Sequence, residues 1–386
     1  MVAVLPVLAE ALCVAGLVQQ AIGSRLITAR GGDDGPAGEL PGISLLKPLY
    51  GTEALLDVAL ESCFLLDYPQ YQIVFGAEDP ADPALGIVSG LARRYPHVDV
   101  AVMTGARPAG RNRKIANLIA MLPGARHDLL VISDADIHAP RDYLREIAAA
   151  WRKVPDGMVT SFYTGLPAGG TLPSVLGAMQ INHQFLPGAA IARALGRQDC
   201  LGATMALSRT TLAAIGGFPA LLDHLADDNV LGRRMRARGQ KVGLARTIPA
   251  TSVTESTFPA LIRHELRWAR TIRALVPGAY WGMIVQFPLF WTLAALVFSG
   301  FATWAWVFMA LASGARYGVA WDLERRLGLA GGGAKAPLLA KTAAPWLFLL
   351  RDSLSAIIFV ASFWSDNVEW RGQVLRADSG AAPPPA

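Results

Sequence analysis

The sequence predicts an α/β domain with a mostly parallel sheet, placed between membrane-spanning helices. From Ile43 onward, short apolar runs alternate with helical patterns, which is typical of a sheet with helices on both faces. Hydrophobic residues make up 53% of the 386-residue chain and charged residues only 17%, an unusual balance for a wholly soluble protein. The apolar residues are concentrated at the two ends of the chain, which indicates a soluble domain between membrane segments.

The first predicted element is an N-terminal membrane anchor. The run "VAVLPVLAEALCVAGLVQQAI" is long enough to cross a bilayer core of about 30 Å. A cleaved signal peptide usually begins with basic residues, but here Arg25 and Arg30 follow the apolar run and no basic residue precedes it. We therefore predict a retained transmembrane helix over residues 1–24 and a polar linker over residues 25–41. The positive-inside rule then predicts that the next segment is cytoplasmic.

The soluble domain is predicted over residues 42–275, and the apolar character returns after it. The next apolar stretch is too long for one untilted span, so we predict a transmembrane hairpin over residues 276–320 that breaks near Ser299 and Gly300. A basic cytoplasmic loop over residues 321–344, another span over residues 345–365 and a disordered tail over residues 366–386 complete the prediction. With one span before the domain and about three after it, every basic cluster lies on the cytoplasmic side.

Charge and cysteine content exclude some classes of protein. The formal net charge is +5, and the excess lies near the membrane-flanking loops and in "GRRMRARGQK". Anionic lipid headgroups explain that distribution with fewer assumptions than nucleic acid does, so no nucleic-acid partner is expected. The cysteines are isolated in sequence and lack metal or redox spacing, which suits a reducing cytoplasm.

Polar residues follow the predicted strands of the soluble domain. Lys47 comes at the end of the first strand, Glu78 and Asp79 follow the second, and Asp134 and Asp136 follow "DLLVIS". In open parallel sheets, ligands bind beyond the carboxyl ends of the strands. Side chains at i and i+2 of an extended backbone point the same way, and two like charges repel unless a positive object lies between them. Capping of the following helix is an equally good explanation of the acid pair alone.

Three further segments each have an ordinary structural explanation and a functional one. The basic segment around Lys114 is either a solvated loop or a phosphate contact at a helix start. Asp227 and Asp228 either stabilise a helix N-terminus or take part in chemistry. The segment "RHELRWARTIR" either rests on lipid headgroups or belongs to the site. No GxGxxG or Walker sequence occurs, so neither a dinucleotide site nor a P-loop is predicted.

Taken in order, the segments "SLLKPLYG", "GAEDPADPA", "GRNRKIANL", "ISDADI", "LADDNVLG" and "HELRWART" resemble the inverting glycosyltransferase family that includes ceramide glucosyltransferase. They are most similar to its bacterial hopanoid-associated branch. The resemblance extends from Ile43 to Arg273, and the arrangement of spans is also similar. It implies a GT-A domain that uses a UDP-sugar at the cytoplasmic face of the bacterial inner membrane.

The resemblance also implies how the donor is bound. Lys47 and Asp79 correspond to uridine contacts, and Asp82 is their neighbour in the same motif. Lys114 would lie near the diphosphate. The same motif contains the two asparagines Asn112 and Asn117.

The resemblance further implies a metal site and a base. Asp134 and Asp136 match the acidic motif that contacts the ribose and holds Mg²⁺ or Mn²⁺ bridging the diphosphate. Asp228 matches the catalytic base, which takes the proton of the acceptor hydroxyl in a single inverting displacement. Arg267 would face the charge on the departing diphosphate, and Trp268 would pack against sugar or acceptor.

The acceptor is expected to be a membrane lipid, a hopanoid polyol or a ceramide, and the sugar N-acetylglucosamine or glucose. His264 departs from the Gln or Arg that ceramide enzymes tend to have. His183, in the apolar stretch 166–196, either contacts acceptor hydroxyls or is structural. The alternatives are a processive polysaccharide synthase and a non-catalytic membrane protein that binds nucleotide sugars or lipids. The latter would bind UDP without ever releasing it from a UDP-sugar.

Overall fold

The computed structural model describes residues 4–27, 40–105, 110–328, 346–370 and 373–376. The chain divides into two compact units. Unit 1 contains Met1–Thr28, Gly165–Gly196 and Val253–Ala386, and unit 2 contains Ala29–Thr164 and Arg197–Ser252. Most of the predicted linker, much of the predicted basic loop and the end of the predicted tail lie outside the described residues.

The strands and helices are numbered in chain order. The strands are β1 Ile43–Leu49, β2 Tyr71–Ala77, β3 Asp99–Thr104, β4 Leu129–Ser133, β5 Ile137–His138, β6 Met158–Ser161, β7 Thr164–Pro167, β8 Thr204–Ser208, β9 Val242–Ala245, β10 Ala250–Val253, β11 Asn367–Trp370 and β12 Gln373–Arg376. The helices are α1 Val4–Leu26, α2 Leu56–Phe64, α3 Ala84–Arg94, α4 Arg113–Met121, α5 Tyr143–Arg152, α6 Leu172–Gln180, α7 Leu186–Ala194, α8 Arg209–Ala214, α9 Asp227–Ala237, α10 Phe258–Leu275, α11 Pro277–Tyr280, α12 Pro288–Phe298, α13 Thr303–Arg326 and α14 Trp346–Ala361. A π-helical turn, Ile181–Phe185, joins α6 to α7.

Unit 2 is built on a mixed sheet with the strand order β3-β2-β1-β4-β8-β6-β9. Strands β3, β2, β1 and β4 are parallel to one another. Strand β8 runs antiparallel to both β4 and β6, and β9 is parallel to β6. The prediction of a mostly parallel α/β sheet is therefore confirmed. Beside it, β5 pairs antiparallel with β10 and aligns Ile137 with Thr251.

The sheet is covered on both faces, as the continuous apolar runs predict. Neighbouring residues of β1 and β4 contribute to different cores because side chains alternate along a strand. Leu45 packs in one buried cluster with Leu60 of α2. Leu46 packs in the other with Ile115 of α4 and Leu231 of α9. These cores fix the carboxyl edge of the parallel strands, where the candidate site residues lie.

Unit 1 contains the apolar helices. Val4–Leu26 and Trp346–Trp364 are long and apolar enough to cross a membrane, and Pro277–Gln286 with Pro288–Phe298 forms a pair bent by 68° that could be a broken span or a re-entrant loop. The predicted break near Ser299 and Gly300 is present, because α12 ends at Phe298 and α13 begins at Thr303.

The helices and strands of the C-terminal region differ from the predicted bounds in two places. Helix α13 extends to Arg326, into the predicted basic loop, and it is not among the apolar candidate spans of the described chain because its second half is charged. Among the described residues, α14 and the bent pair are the C-terminal candidate spans, and the expected number of about three C-terminal spans stays a prediction. The predicted disordered tail starts at residue 366, but Asn367–Trp370 and Gln373–Arg376 are strands that pair with each other. Val368 in the first of these strands is buried.

Helix α1 is packed inside unit 1 rather than standing alone. It contacts α7, α12 and α13. A Cβ atom placed on Gly16 would lie 2.2 Å from the carbonyl oxygen of Val285, and one on Gly23 would lie 2.5 Å from that of Pro187. Small residues that allow such close backbone approach are typical of helix packing in membranes.

Candidate active site

The candidate site of unit 2 is centred on the ammonium group of Lys114, in the first turn of α4. Its Nζ atom lies 2.6 Å from Oδ1 of Asp134, which follows β4, and 3.9 Å from Oδ2 of Asp227, at the start of α9. It also lies 3.5 Å from the carbonyl oxygen of Gly202. The predicted juxtaposition of Lys114 with the acid motif at the sheet edge is therefore present in the structure.

Lys114 remains charged at neutral pH despite its burial. Burial alone would lower its pKa, but the carboxylates of Asp134, Asp227 and Asp228 outweigh that effect and the net shift is upward. The side chain is only 13% exposed, so the charge is weakly screened by solvent. A buried permanent cation at the ends of parallel strands is suited to an anionic ligand such as a diphosphate.

Asn112 organises this cluster from the N-cap of α4. Its Oδ1 accepts from the backbone N–H of Ile115 at 3.1 Å. Its Nδ2 donates to Oδ1 of Asp227 at 3.1 Å and to the carbonyl oxygen of His224 at 2.8 Å. Asn112 thus ties the start of α4 to the start of α9. The sequence placed it only in a diphosphate motif, although an Asn directly before a helix is itself a capping signal.

Asp228 has the environment of a general base. Burial and the neighbouring Asp227 raise its pKa to about 7, and Lys114 opposes this shift. One of its oxygens accepts from the backbone N–H of Asn229 at 2.7 Å. A Cβ atom on Gly202 would lie 3.0 Å from its other oxygen. A base is most effective when its pKa lies near the working pH, so the arrangement suits proton abstraction.

Asp136 is held by residues far along the chain. Burial, followed by the charge of Asp134, raises its pKa to about 6. The hydroxyl of Thr251 donates to its carboxylate, and the backbone N–H of Ser252 donates to its carbonyl oxygen at 3.2 Å. No local sequence signal connects Thr251 with Asp136, because the contact depends on the antiparallel pairing of β5 with β10.

Lys47 does not have the surroundings of a nucleotide contact in this structure. Its side chain is completely buried. The ammonium donates to Oγ of Ser133 at 3.1 Å and to the carbonyl oxygens of Asp134 at 2.7 Å and Ile137 at 3.4 Å. All three N–H groups of the ammonium therefore donate hydrogen bonds within the protein. Lys47 thus supports the turn that contains Asp134 and Asp136.

The remaining predicted donor residues also have structural contacts. Asp82 accepts from the backbone N–H groups of Gly51 at 2.8 Å and Ala84 at 2.9 Å. Asn117 donates to the carbonyl oxygen of Gly76 at 2.8 Å. Asp79 is exposed and accepts from the N–H of Ala81 at 2.8 Å. Of these residues, only Asp79 presents its carboxylate at the surface beyond β2.

Arg267 and Trp268 lie on α10 of unit 1, whereas the acid cluster belongs to unit 2. The Trp268 ring meets His264 edge-on at 5.0 Å between centroids and lies 6.2 Å from Phe185. His264 forms a short contact with Glu255 through Nδ1. Burial would raise the pKa of Glu255, but the hydrogen bond and charge of His264 prevail and the pKa lies below its usual value.

The residues at the sheet edge fit a divalent ion only together with ligand oxygens. No group of three or more His, Cys, Asp and Glu side chains in the described part of the chain is arranged to hold a metal. Asp134 and Asp136 offer carboxylate oxygens, the donors that Mg²⁺ and Mn²⁺ prefer. Mg²⁺ is usually bound by one or two carboxylates plus substrate phosphates and water, so the donor set is compatible with an ion that enters with a nucleotide.

Comparisons with known proteins agree with this architecture. The model of "Glycosyl transferase family 21" matches residues 8–382. Ceramide glucosyltransferase 1 of Caenorhabditis elegans is 26% identical over 249 residues, covering 63% of this chain and 52% of that protein. The beta-monoglucosyldiacylglycerol synthase of Synechocystis is 23% identical over 271 residues, covering 67% of this chain and 53% of that protein. The chain thus spans about half the length of the curated relatives it matches.

A solved structure confirms the fold class. The mannosyltransferase PcManGT of Pyrobaculum calidifontis, solved with GDP-Man and Mn²⁺, superposes with a TM-score of 0.50 at 19% identity. The superposition covers 93% of this chain and 99% of that protein. The likeness shows the predicted GT-A fold.

Proposed function

The chain belongs to glycosyl transferase family 21, and on that premise we propose that it is a membrane-bound transferase which moves one sugar from a UDP-sugar to a lipid hydroxyl. The observation that supports this most strongly is the cluster formed by Lys114, Asp134, Asp227 and Asp228. It combines a buried cation for a diphosphate with a carboxylate whose pKa of about 7 suits a base. These are the two groups that displacement of UDP by an alcohol requires.

In the proposed mechanism, Asp228 accepts the proton of the acceptor hydroxyl while the oxygen attacks the anomeric carbon. The carbon–oxygen bond to UDP breaks on the opposite side, so the configuration inverts. Lys114 binds the diphosphate and stabilises the charge that grows on it. Asn112 holds Asp227 beside Lys114. Asp228 is not one of the proposed metal ligands, which leaves it free to take a proton.

We propose that Asp134 and Asp136 hold Mg²⁺ or Mn²⁺ together with the donor. The ion would supply further positive charge to the leaving diphosphate. Contact of Lys114 with Asp134 keeps this acid paired with a cation. Thr251 fixes the carboxylate of Asp136.

The acceptor and the sugar are proposed from the relatives. Their names specify ceramide glucosylation in one case and glucosyldiacylglycerol synthesis in the other, which supports a glycolipid product. We propose glucose or N-acetylglucosamine as the sugar and a hopanoid polyol or a ceramide as the acceptor. The proposed location is the bacterial inner membrane, with unit 2 facing the cytoplasm. The roles of Arg267 and Trp268 on the leaving group and the sugar remain predictions, as does the uridine contact of Asp79.

The experiment uses membranes that contain the full chain. These are incubated with labelled UDP-glucose or UDP-N-acetylglucosamine, Mg²⁺ or Mn²⁺ and one lipid class at a time, and the product is identified by mass. We expect one sugar per lipid, with activity lowered about 10²-fold to 10⁴-fold by Asp228→Asn and retained by the exposed control Asp223→Asn. A ladder of added sugars would favour a polysaccharide synthase. UDP binding without release of UDP from any sugar donor would favour a binding protein.

A further inference from the structure

Unit 1 contains a connected network of buried polar side chains around Arg351 of α14. This guanidinium is completely buried and donates to both carboxylate oxygens of Glu265, each at 2.7 Å. It also lies 3.0 and 3.2 Å from Oγ of Ser355 and donates to the carbonyl oxygen of Leu176 at 3.1 Å. Glu265 belongs to α10 and comes two residues before Arg267. A bidentate contact thus joins the candidate span to α10, and such contacts have a strongly defined geometry.

The network continues into the π-helical turn between α6 and α7. Ser355 donates to Oε1 of Gln184 at 2.7 Å, and Nε2 of Gln184 donates to Oδ1 of Asp352 at 3.1 Å. The next residue, Phe185, places its ring 6.2 Å from the ring of Trp268. π-helical turns are rare and occur frequently at functional sites. This turn contacts α14 through one side chain and the tryptophan of α10 through the next.

Arg316, Asp352, His183 and Glu324 form further buried contacts of this network. Arg316 of α13 donates to the carbonyl oxygen of His183 at 3.1 Å and lies 3.7 Å from Asp352. Nε2 of His183 lies 3.1 Å from Oε1 of Glu324. His183 is therefore engaged in a structural contact within unit 1. Unpaired charges in such an apolar environment are costly, so the network stabilises one arrangement of its helices.

We propose that Arg351 is a positioning residue for the transfer reaction. Its bidentate contact with Glu265 and the link through Ser355 and Gln184 hold α10 in the orientation at which Arg267 and Trp268 act. The proposal rests on the proposed function. A lysine at this position would keep the charge but lose the planar fork that contacts both carboxylate oxygens.

The test compares Arg351→Lys with Arg325→Lys in the full chain in lipid nanodiscs. Arg325 is a matched control because its side chain is 62% exposed and, among the described residues, contacts Asp322 and the Trp321 ring of its own helix. For Arg351→Lys we expect kcat to fall by about 10-fold to 100-fold, which is the loss of rate that a small misplacement of reacting groups causes. KM for the UDP-sugar should stay within about twofold, since the charge of the donor site is unchanged. Amide hydrogen exchange should rise in α10 and not across the rest of unit 1.

Ser355→Ala is a second, milder variant that removes one hydroxyl from the link to Gln184. We expect a smaller fall in kcat and the same local rise in exchange. A rise in α10 exchange with unchanged kcat overturns the proposal, as does unchanged exchange in α10. Loss of protection throughout unit 1 in both variants shows a merely structural role and also overturns it. If the wild type transfers no sugar, the proposed function fails, and the exchange data alone decide whether Arg351 fixes α10.

Discussion

The substitution Asp228→Asn tests the proposed base most sharply. With a pKa of about 7, the wild-type carboxylate is mostly protonated at pH 6 and mostly deprotonated at pH 8. If the deprotonated form is the base, kcat/KM rises about tenfold over this interval. The asparagine cannot accept the proton, so we expect a transfer rate about 10²-fold to 10⁴-fold lower, which is the usual contribution of general base catalysis. The residual rate of the variant should not rise with pH over this interval.

The structure predicts that the same variant still binds UDP. Asparagine has nearly the shape of aspartate, and its side-chain oxygen can still accept from the N–H of Asn229, which donates at 2.7 Å in the wild type. The contact of Lys114 with Asp134 involves neither Asp228 nor Asn229. UDP affinity should therefore stay within about threefold, because no cation of the cluster is removed.

The assay measures sugar transfer in nanodiscs from pH 5.5 to pH 8.5 and UDP binding by calorimetry. Asp223→Asn is the control, because it is the same substitution at an exposed position five residues earlier. The reasoning is refuted if Asp228→Asn retains full activity, or if its residual activity keeps the wild-type pH dependence. A parallel loss of UDP affinity would show that Asp228 contributes to donor binding instead.

Substitutions of Lys114, Gly202 and Lys47 test further contacts of the sheet edge. Lys114→Met should weaken UDP binding by about 10-fold to 100-fold, which is the value of a charge-assisted hydrogen bond. Lys114→Arg keeps the charge and should retain most of the UDP affinity. Equal affinity of the two variants for UDP would contradict the diphosphate contact. Gly202→Ala should reduce kcat because its Cβ would lie 3.0 Å from the carboxylate of Asp228, while Gly86→Ala, which meets nothing within 4 Å, should leave kcat unchanged. Lys47→Met should lower the free energy of unfolding by about 3 kcal/mol, because it removes the three hydrogen bonds that the buried ammonium donates. Denaturation that matches the wild type would exclude the supporting role.

The sheet edge could be predicted from the sequence because parallel strands end together. The apolar runs before Lys47, Glu78 and Asp134 placed these residues at one edge, and the pairing of β1 with β2 and β4 confirms it. The direction of a side chain at that edge was not predictable. Lys47 lies within β1 and points into the core beneath the acid motif, where it meets Ser133.

Contacts that depend on distant pairing had no local signal. Thr251 reaches Asp136 across 115 residues of sequence, and Asn112 reaches Asp227 over the same separation. Hydropathy alone also misjudged α13. Its first half is apolar, but its charged second half includes Arg316, which is buried among polar partners of unit 1. Periodicity therefore predicted the helices and strands, whereas the buried polar contacts required the structure.

A crystal structure of the full chain with UDP and Mn²⁺ tests the central claim most directly, because the anomalous signal of manganese locates the ion independently of the nucleotide. We predict the diphosphate at Lys114, the ion on Asp134 and Asp136, and the carboxylate of Asp228 unligated. Nucleotide and ion bound away from the ends of β1 and β4, or manganese coordinated by Asp228, would contradict the account.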